Sequence, residues 1–165
     1  MTDAIATFTP LQHPERLSGV EPELVAFCLR VPKILGGRWR VVRGVTSDKE
    51  QSALYAKGRT VVGERATAER PLGSSVTEAQ TAAQSAHGMR KYGGCAVDLV
   101  AMNDDDTCDW EPARYEALGS LAQQMGLEWG GNFTVTHNGK VLPMHDNGHV
   151  GIRSWRSIPL KDATT

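Results

Sequence analysis

Two short runs hold the residues of this chain best suited to chemistry: Ser85-Ala86-His87 leading to Gly94-Cys95-Ala96-Val97-Asp98, and His145-Asp146-Asn147-Gly148-His149. His87, Asp98 and His149 offer two imidazoles and one carboxylate. These are donors that a catalytic zinc uses, and three such ligands leave a fourth position free for water. Mixed imidazole and carboxylate ligation favours zinc among the divalent ions. The chemistry implied is hydrolysis.

Each residue taken alone has a structural alternative. Asp98 lies in Cys95-Ala96-Val97-Asp98-Leu99-Val100-Ala101, an apolar run that reads as a buried strand. A carboxylate there is costly unless a cation or several donors compensate it. Metal ligation is one compensation, and pairing with nearby Arg90 or Lys91 is the other. The two-residue strand period puts His149 and Arg153 on one face and Val150 and Ile152 on the other, so His149 reads as a half-exposed strand histidine that gains weight from its company. His145 is a rival for ligand or base, or else an outer residue that orients the ligands or meets substrate. His13 and His137 have no partners at ligand spacing and read as surface histidines.

The order Ser85-x-His87, Gly94-x-Ala96-x-Asp98 and Asp146-x-x-His149 resembles the signature of peptidoglycan peptidases related to D-alanyl-D-alanine carboxypeptidases. Within that group it is most similar to the phage L-alanyl-D-glutamate endopeptidases that serve as endolysins. Further landmarks follow in the same order: Gly19-Val20-x-Pro22-x-Leu24-Val25, Gln51-x-x-Leu54-Tyr55-x-x-Gly58-Arg59-Thr60, and Gly126-Leu127-Glu128-Trp129-Gly130-Gly131. The likeness covers about residues 17 to 155 of one catalytic domain spanning 1–165.

The resemblance implies that His87, Asp98 and His149 bind zinc and that Asp146 is the catalytic base. Asn147-Gly148 forms turns readily and would fold the Asp146 carboxylate back beside the metal. Ser85, His145 and Arg59 are the candidates for meeting substrate, which the resemblance makes the peptidoglycan stem peptide. It also implies a host-cytoplasmic enzyme that reaches the wall after release by a holin-type partner. Two departures stand out. Gly88-Met89-Arg90-Lys91-Tyr92 is longer than the usual link, and Thr46 stands where relatives often carry an arginine, so Arg43 or another cation replaces it or none does.

Composition narrows the remaining classes. The chain has 165 residues, enough for one domain with an adequate core, and a formal net charge of −1, which offers no field for nucleic acid. Cys28, Cys95 and Cys108 form no pairing framework and no CxxC, which fits synthesis in a reducing compartment, with Cys95 expected in the core. The N-terminus lacks the pattern of a signal peptide, and no segment approaches the roughly 20 apolar residues of a membrane span. A soluble monomer without stable membrane insertion is expected.

The elements that must position these groups follow from periodicity and punctuation. A helix is expected over Pro22–Leu35, its stripe Leu24, Val25, Phe27, Cys28, Val31 and Ile34, with Pro32 a break or late kink. Arg38–Val45 reads as a strand, and Ser47 or Asp48 caps a helix through Lys57 that Gly58 ends. Residues 58–94 form a long irregular stretch, either a surface loop or a wall of the substrate cleft, in which Thr77–Gln84 forms a short helix or simply approaches the site. Asn103–Asp106 reads as a solvated turn without calcium-loop spacing. Glu111–Met125 is the clearest helix, ended by Gly126. Glu128–Gly131 then turns the chain toward a hairpin of 132–136 and 140–143 signalled by Asn138-Gly139, and Gly148–Ser154 closes the sheet. The expected fold is α+β, a small, mostly antiparallel sheet with flanking helices and the zinc site at the sheet.

Three functions remain open at this point. One is a zinc endopeptidase of the stem peptide. Another is a D-alanyl-D-alanine carboxypeptidase or dipeptidase of the same mechanism. The third is a noncatalytic protein, either a zinc-containing binding domain or a metal-free virion component.

Overall fold

In the computed structural model, residues 11–57, 61–62, 65–66, 79–137 and 139–161 are described, with the backbone alone for 61–62, 65–66 and 137. The helices are α1 (Pro22–Leu35), α2 (Asp48–Ala56) and α3 (Pro112–Gln124). The strands, in chain order, are β1 (Arg38–Arg43), β2 (Val61–Val62), β3 (Arg65–Ala66), β4 (Met89–Arg90), β5 (Gly93–Gly94), β6 (Ala96–Met102), β7 (Cys108–Asp109), β8 (Glu128–Trp129), β9 (Thr134–His137), β10 (Lys140–Pro143) and β11 (His149–Gly151).

Local chemistry accounts for the helix starts. Pro22 and Pro112 each open a helix at a position whose N–H would have no partner anyway. Ser47 caps α2 reciprocally with Glu50, each side chain meeting the other's backbone N–H. Pro32 does not end α1. It lies in the last turn, where losing one donor is tolerated, and the helix runs on to Leu35. Leu24, Phe27, Cys28 and Val31 of α1 are fully buried, whereas Ile34, expected in the stripe, is 57% exposed because the helix is by then passing its core.

The main sheet is antiparallel, with the order β1-β6-β11-β8 and β7 paired to the far end of β6. Helices α1 and α3 pack together against it, enclosing Trp39, Val41, Val97, Leu99, Leu118, Leu127 and Val150. Side chains so enclosed contribute about 1.5–3 kcal/mol each. Tyr115 ties helix to sheet from within, donating to the Asp109 carbonyl oxygen at 2.9 Å and accepting from the Ala101 N–H at 3.2 Å. A smaller core of Ala86, Cys95, Ala96 and Trp155 lies beside the site.

Three sequence expectations change. Glu128-Trp129 is not a turn but an edge strand on β11, so the strand carrying His149 lies inside the sheet rather than closing it. The β9–β10 hairpin pairs only with itself, as a separate two-stranded sheet, and its signal residue Asn138 lies outside the described residues. Within 77–84 the described part forms one 3-10 turn, Ala82–Gln84, and Gly58 lies outside the described residues. Among the described residues no helix is long and apolar enough to cross a membrane.

Candidate metal centre

Strand register builds the site. His149 lies directly opposite Asp98 across the β11–β6 ladder, and Arg43 lies opposite Asp98 across β1–β6. The second pairing depends on an irregularity between Val41 and Arg43. It leaves Val42 unpaired and turns Arg43 onto the face that carries Asp98. His87 arrives from the segment before β4, held by its own backbone: its carbonyl oxygen accepts from the Thr46 N–H at 2.9 Å and its N–H donates to Ser85 Oγ at 3.2 Å.

His87, Asp98 and His149 each offer one ligand atom, and these atoms lie within 4.8 Å of one another. His87 Nε2 stands 3.3 Å from Asp98 Oδ1, and His149 Nδ1 stands 3.0 Å from the same oxygen. Two donors each about 2.0–2.1 Å from a tetrahedral ion are separated by roughly 3.3 Å, and the two histidine-to-Asp98 separations are of that size. The tautomer of His87 sharpens the fit. Its Nδ1 lies 2.9 Å from the Gly44 carbonyl oxygen, which can only accept, so Nδ1 carries a proton and Nε2 is the nitrogen left to ligate. That Nε2 is buried and has no hydrogen-bond partner. A buried imidazole nitrogen facing a carboxylate oxygen needs a proton or a metal ion between them.

Electrostatics agree. Burial would push the Asp98 carboxyl up, but the His87 and His149 imidazoles outweigh it and hold the group well below the usual carboxylate range. Arg43 adds a further cation: its Nε and Nη2 meet Asp98 Oδ2 at 2.7 and 2.5 Å. Burial would lower the His149 imidazole, yet its hydrogen bond to Asp98 and the Asp98 and Asp146 charges raise it. The Asp146 carboxyl is raised by partial burial and by the Asp98 charge. Asp146 is half exposed, with Oδ2 3.9 Å from His149 Nδ1, close enough to share the site without entering the ligand group.

The loop that carries Asp146 is fixed by backbone and by Trp129. The Asp146 carbonyl oxygen accepts from the His149 N–H at 3.0 Å, and the Asn147 carbonyl oxygen accepts from Trp129 Nε1 at 2.8 Å. Gly130 permits the close approach, since a Cβ there would stand 2.3 Å from the Asp146 carbonyl oxygen.

The other expectations sort plainly. Asp98 pairs with Arg43 rather than Arg90 or Lys91. Arg90 instead donates to the Ala83 and Ile158 carbonyl oxygens. His149 is buried, not half exposed. His145 does not join the three-residue group, and its Nδ1 lies 3.1 Å from the Gly131 carbonyl oxygen. Ser85 faces the cleft, and Arg59 lies outside the described residues. Thr46 is buried with Oγ1 unpartnered, and the guanidinium beside the centre is that of Arg43. His13 is exposed and pairs with Glu15, while the His137 side chain is outside the described residues. The acidic run 103–106 is exposed, and among the described residues no second group of metal-ligating side chains forms. The stretch 88–92 is mainly a hairpin, β4–β5, anchored by Lys91 N–H to the Pro159 carbonyl oxygen at 2.9 Å.

A cleft of about 770 Å³ opens over the centre. Ala79, Gln84 and Ser85 form part of its wall, so the end of the irregular stretch does border the site. Phe133 covers one side of His149, ring centroids 5.3 Å apart, and Trp155 and Arg156 line the cleft as well. Sequence reasoning missed the Gly44 carbonyl, the Trp129 tether and this last pair, because none carries a spacing signal.

No protein-family model and no curated relative matches the chain. Among solved structures it is similar to the L-Ala D-Glu endopeptidase ChiX of Serratia marcescens, at 25% identity over 84% of each chain with a TM-score of 0.51. The chain shares the fold of that peptidase.

Proposed function

We propose that this protein is a zinc-dependent peptidoglycan endopeptidase that cleaves the amide between L-alanine and D-glutamate, with His87, Asp98 and His149 holding the zinc and Asp146 acting as base. The observation that carries the reading is the buried, unpartnered Nε2 of His87, 3.3 Å from Asp98 Oδ1, in a chain that shares the fold of an L-Ala D-Glu endopeptidase. The role of phage endolysin, released by a holin-type partner, belongs to the same proposal and rests on the sequence resemblance.

His87, Asp98 and His149 would hold a divalent ion, which would supply Lewis acidity toward water and a carbonyl oxygen. The side chains do the rest. Asp146, its proton affinity raised by burial and by Asp98, takes a proton from the attacking water and returns it to the departing amine. Arg43 and the Gly44 carbonyl hold Asp98 and His87 in the orientation that ligation needs. Phe133 restricts water on one side of His149.

The test combines metal analysis with digestion of defined stem peptides. The expected result is one zinc per chain, loss of activity on chelation with recovery on zinc addition, and a new amino terminus at D-glutamate. Asp146→Asn keeps its zinc and loses about 10²–10⁴-fold in kcat. Release of D-alanine with the L-alanyl bond intact overturns the choice of bond.

A further inference from the structure

Two guanidinium groups stand over the ring of Trp155, Arg90 at 4.8 Å and Arg156 at 4.4 Å, but their circumstances differ. Arg90 is buried and donates to the Ala83 and Ile158 carbonyl oxygens. Arg156 is exposed, lines the cleft over the metal centre, and among the described residues has neither a hydrogen bond nor an ion pair. The second arginine in that cleft, Arg43, is committed to Asp98 through Nε and Nη2. Arg156 is thus the uncommitted guanidinium of the cleft. The indole beneath it limits its rotamers, and Trp155 itself is fixed by burial against Ala86, Cys95 and Ala96. A pre-positioned guanidinium suits a planar carboxylate, which it meets with two parallel hydrogen bonds.

We propose that Arg156, seated on Trp155, is a specificity-determining residue that binds the free carboxylate of the D-glutamate next to the scissile bond, making stem peptides with that carboxylate unmodified the preferred substrates. The inference rests on the endopeptidase reading above. D-Glutamate has two carboxyl groups, and only one can continue the stem. The other therefore remains as an anion beside the bond that is cut. Asp146 and Glu128 also line the cleft and repel an anion, so among the lining residues the cation without an acidic partner is the one suited to a substrate carboxylate. Amidation of that carboxylate removes the charge and one acceptor oxygen, and half of the paired contact goes with them.

The experiment compares two synthetic stem peptides that differ only there, one with the free carboxylate and one with the carboxamide, by kcat/KM. The zinc-loaded protein is expected to prefer the acid by about 10-fold or more, mostly through KM, since a charge-assisted contact made equally in ground and transition states acts on binding. Arg156→Gln brings the acid-to-amide ratio to about one by raising KM for the acid, and Arg156→Lys retains part of the preference. Equal rates on both peptides with the wild-type protein, or an unchanged ratio in Arg156→Gln, overturn the role of Arg156 while leaving the endopeptidase reading intact. Failure to cut either peptide at L-alanyl-D-glutamate overturns both.

Discussion

Arg43 grips Asp98 by one oxygen only. Its Nε and Nη2 both meet Oδ2, at 2.7 and 2.5 Å, and leave Oδ1 to face His87 and His149. The carboxylate is thus divided between an arginine on one side and the ligand group on the other. Removing the cation outright would also relieve its repulsion of a metal, so the informative change preserves charge and removes the fork.

Arg43→Lys keeps the positive charge but cannot reproduce the two-point contact. Metal affinity is expected to fall roughly 10-fold, at the lower end of what loss of an orienting partner costs. Competition with a chromophoric chelator measures it. Undiminished affinity would mean that the ladder alone fixes Asp98.

Metal binding should release a proton in a predictable pH range. In the metal-free protein the His149 imidazole is raised, so its stabilising contribution is complete below its unfolded value and is lost as pH climbs through the folded one. Asp98 is depressed, so its contribution is present above its unfolded value and is lost as pH falls through the folded one. These two contributions are therefore both complete only between those limits, on the acid side of neutrality. Ligation needs His149 neutral, so metal affinity is expected to rise with pH until the raised imidazole has titrated. The Tm difference between loaded and metal-free protein is expected to widen from pH 6 to pH 8. Calorimetry in buffers of different ionisation enthalpy counts the proton released.

The three cysteines should separate by reactivity. Burial pushes the Cys28 thiol up to about 12 and that of Cys95 up to about 11, while Cys108 is exposed. Thiolate is the reactive form, so an aromatic disulfide reagent at pH 8 should label one thiol per native chain, at Cys108, and all three after unfolding. Rapid labelling of Cys95 in the native protein would mean that the small core beside the site opens.

Adding a methyl group at Gly119 should disturb the site from a distance. Its Cβ would stand 2.3 Å from the Trp129 ring, and the indole N–H of Trp129 holds the Asn147 carbonyl beside Asp146. Gly119→Ala is expected to cost about 1–3 kcal/mol by overpacking, measured by denaturant unfolding. Activity should fall more than stability predicts. A variant with native activity would show that the loop does not depend on this tether.

The grouping of His87, Asp98 and His149 and much of the helical framework were legible in the sequence, the helices from local signals and the grouping from residue types and their order. Pro22 and Gly126 bracket periodic stretches, and His87, Asp98 and His149 stand among residues of recognisable type and spacing. What escaped depends on long-range pairing. Glu128-Trp129 looks like a turn because of the glycines after it, and only the presence of β11 beside it makes it an edge strand. The guanidinium on Asp98 comes from a residue 55 positions away, and its aim depends on an unpaired Val42. No periodicity encodes either.

β6 is apolar on both sides, with Ala96, Val97, Leu99, Val100, Ala101 and Met102 all buried, so hydrophobic burial alone barely distinguishes one alignment of this strand from the next. Sliding by a single residue would hide nearly as much oil-like surface but swing Asp98 across to the helices, far from Arg43 and His149. The polar row thus acts as an indexing pin for an otherwise slippery strand: the groups assigned to hydrolysis are also the ones that tell the sheet where to stop.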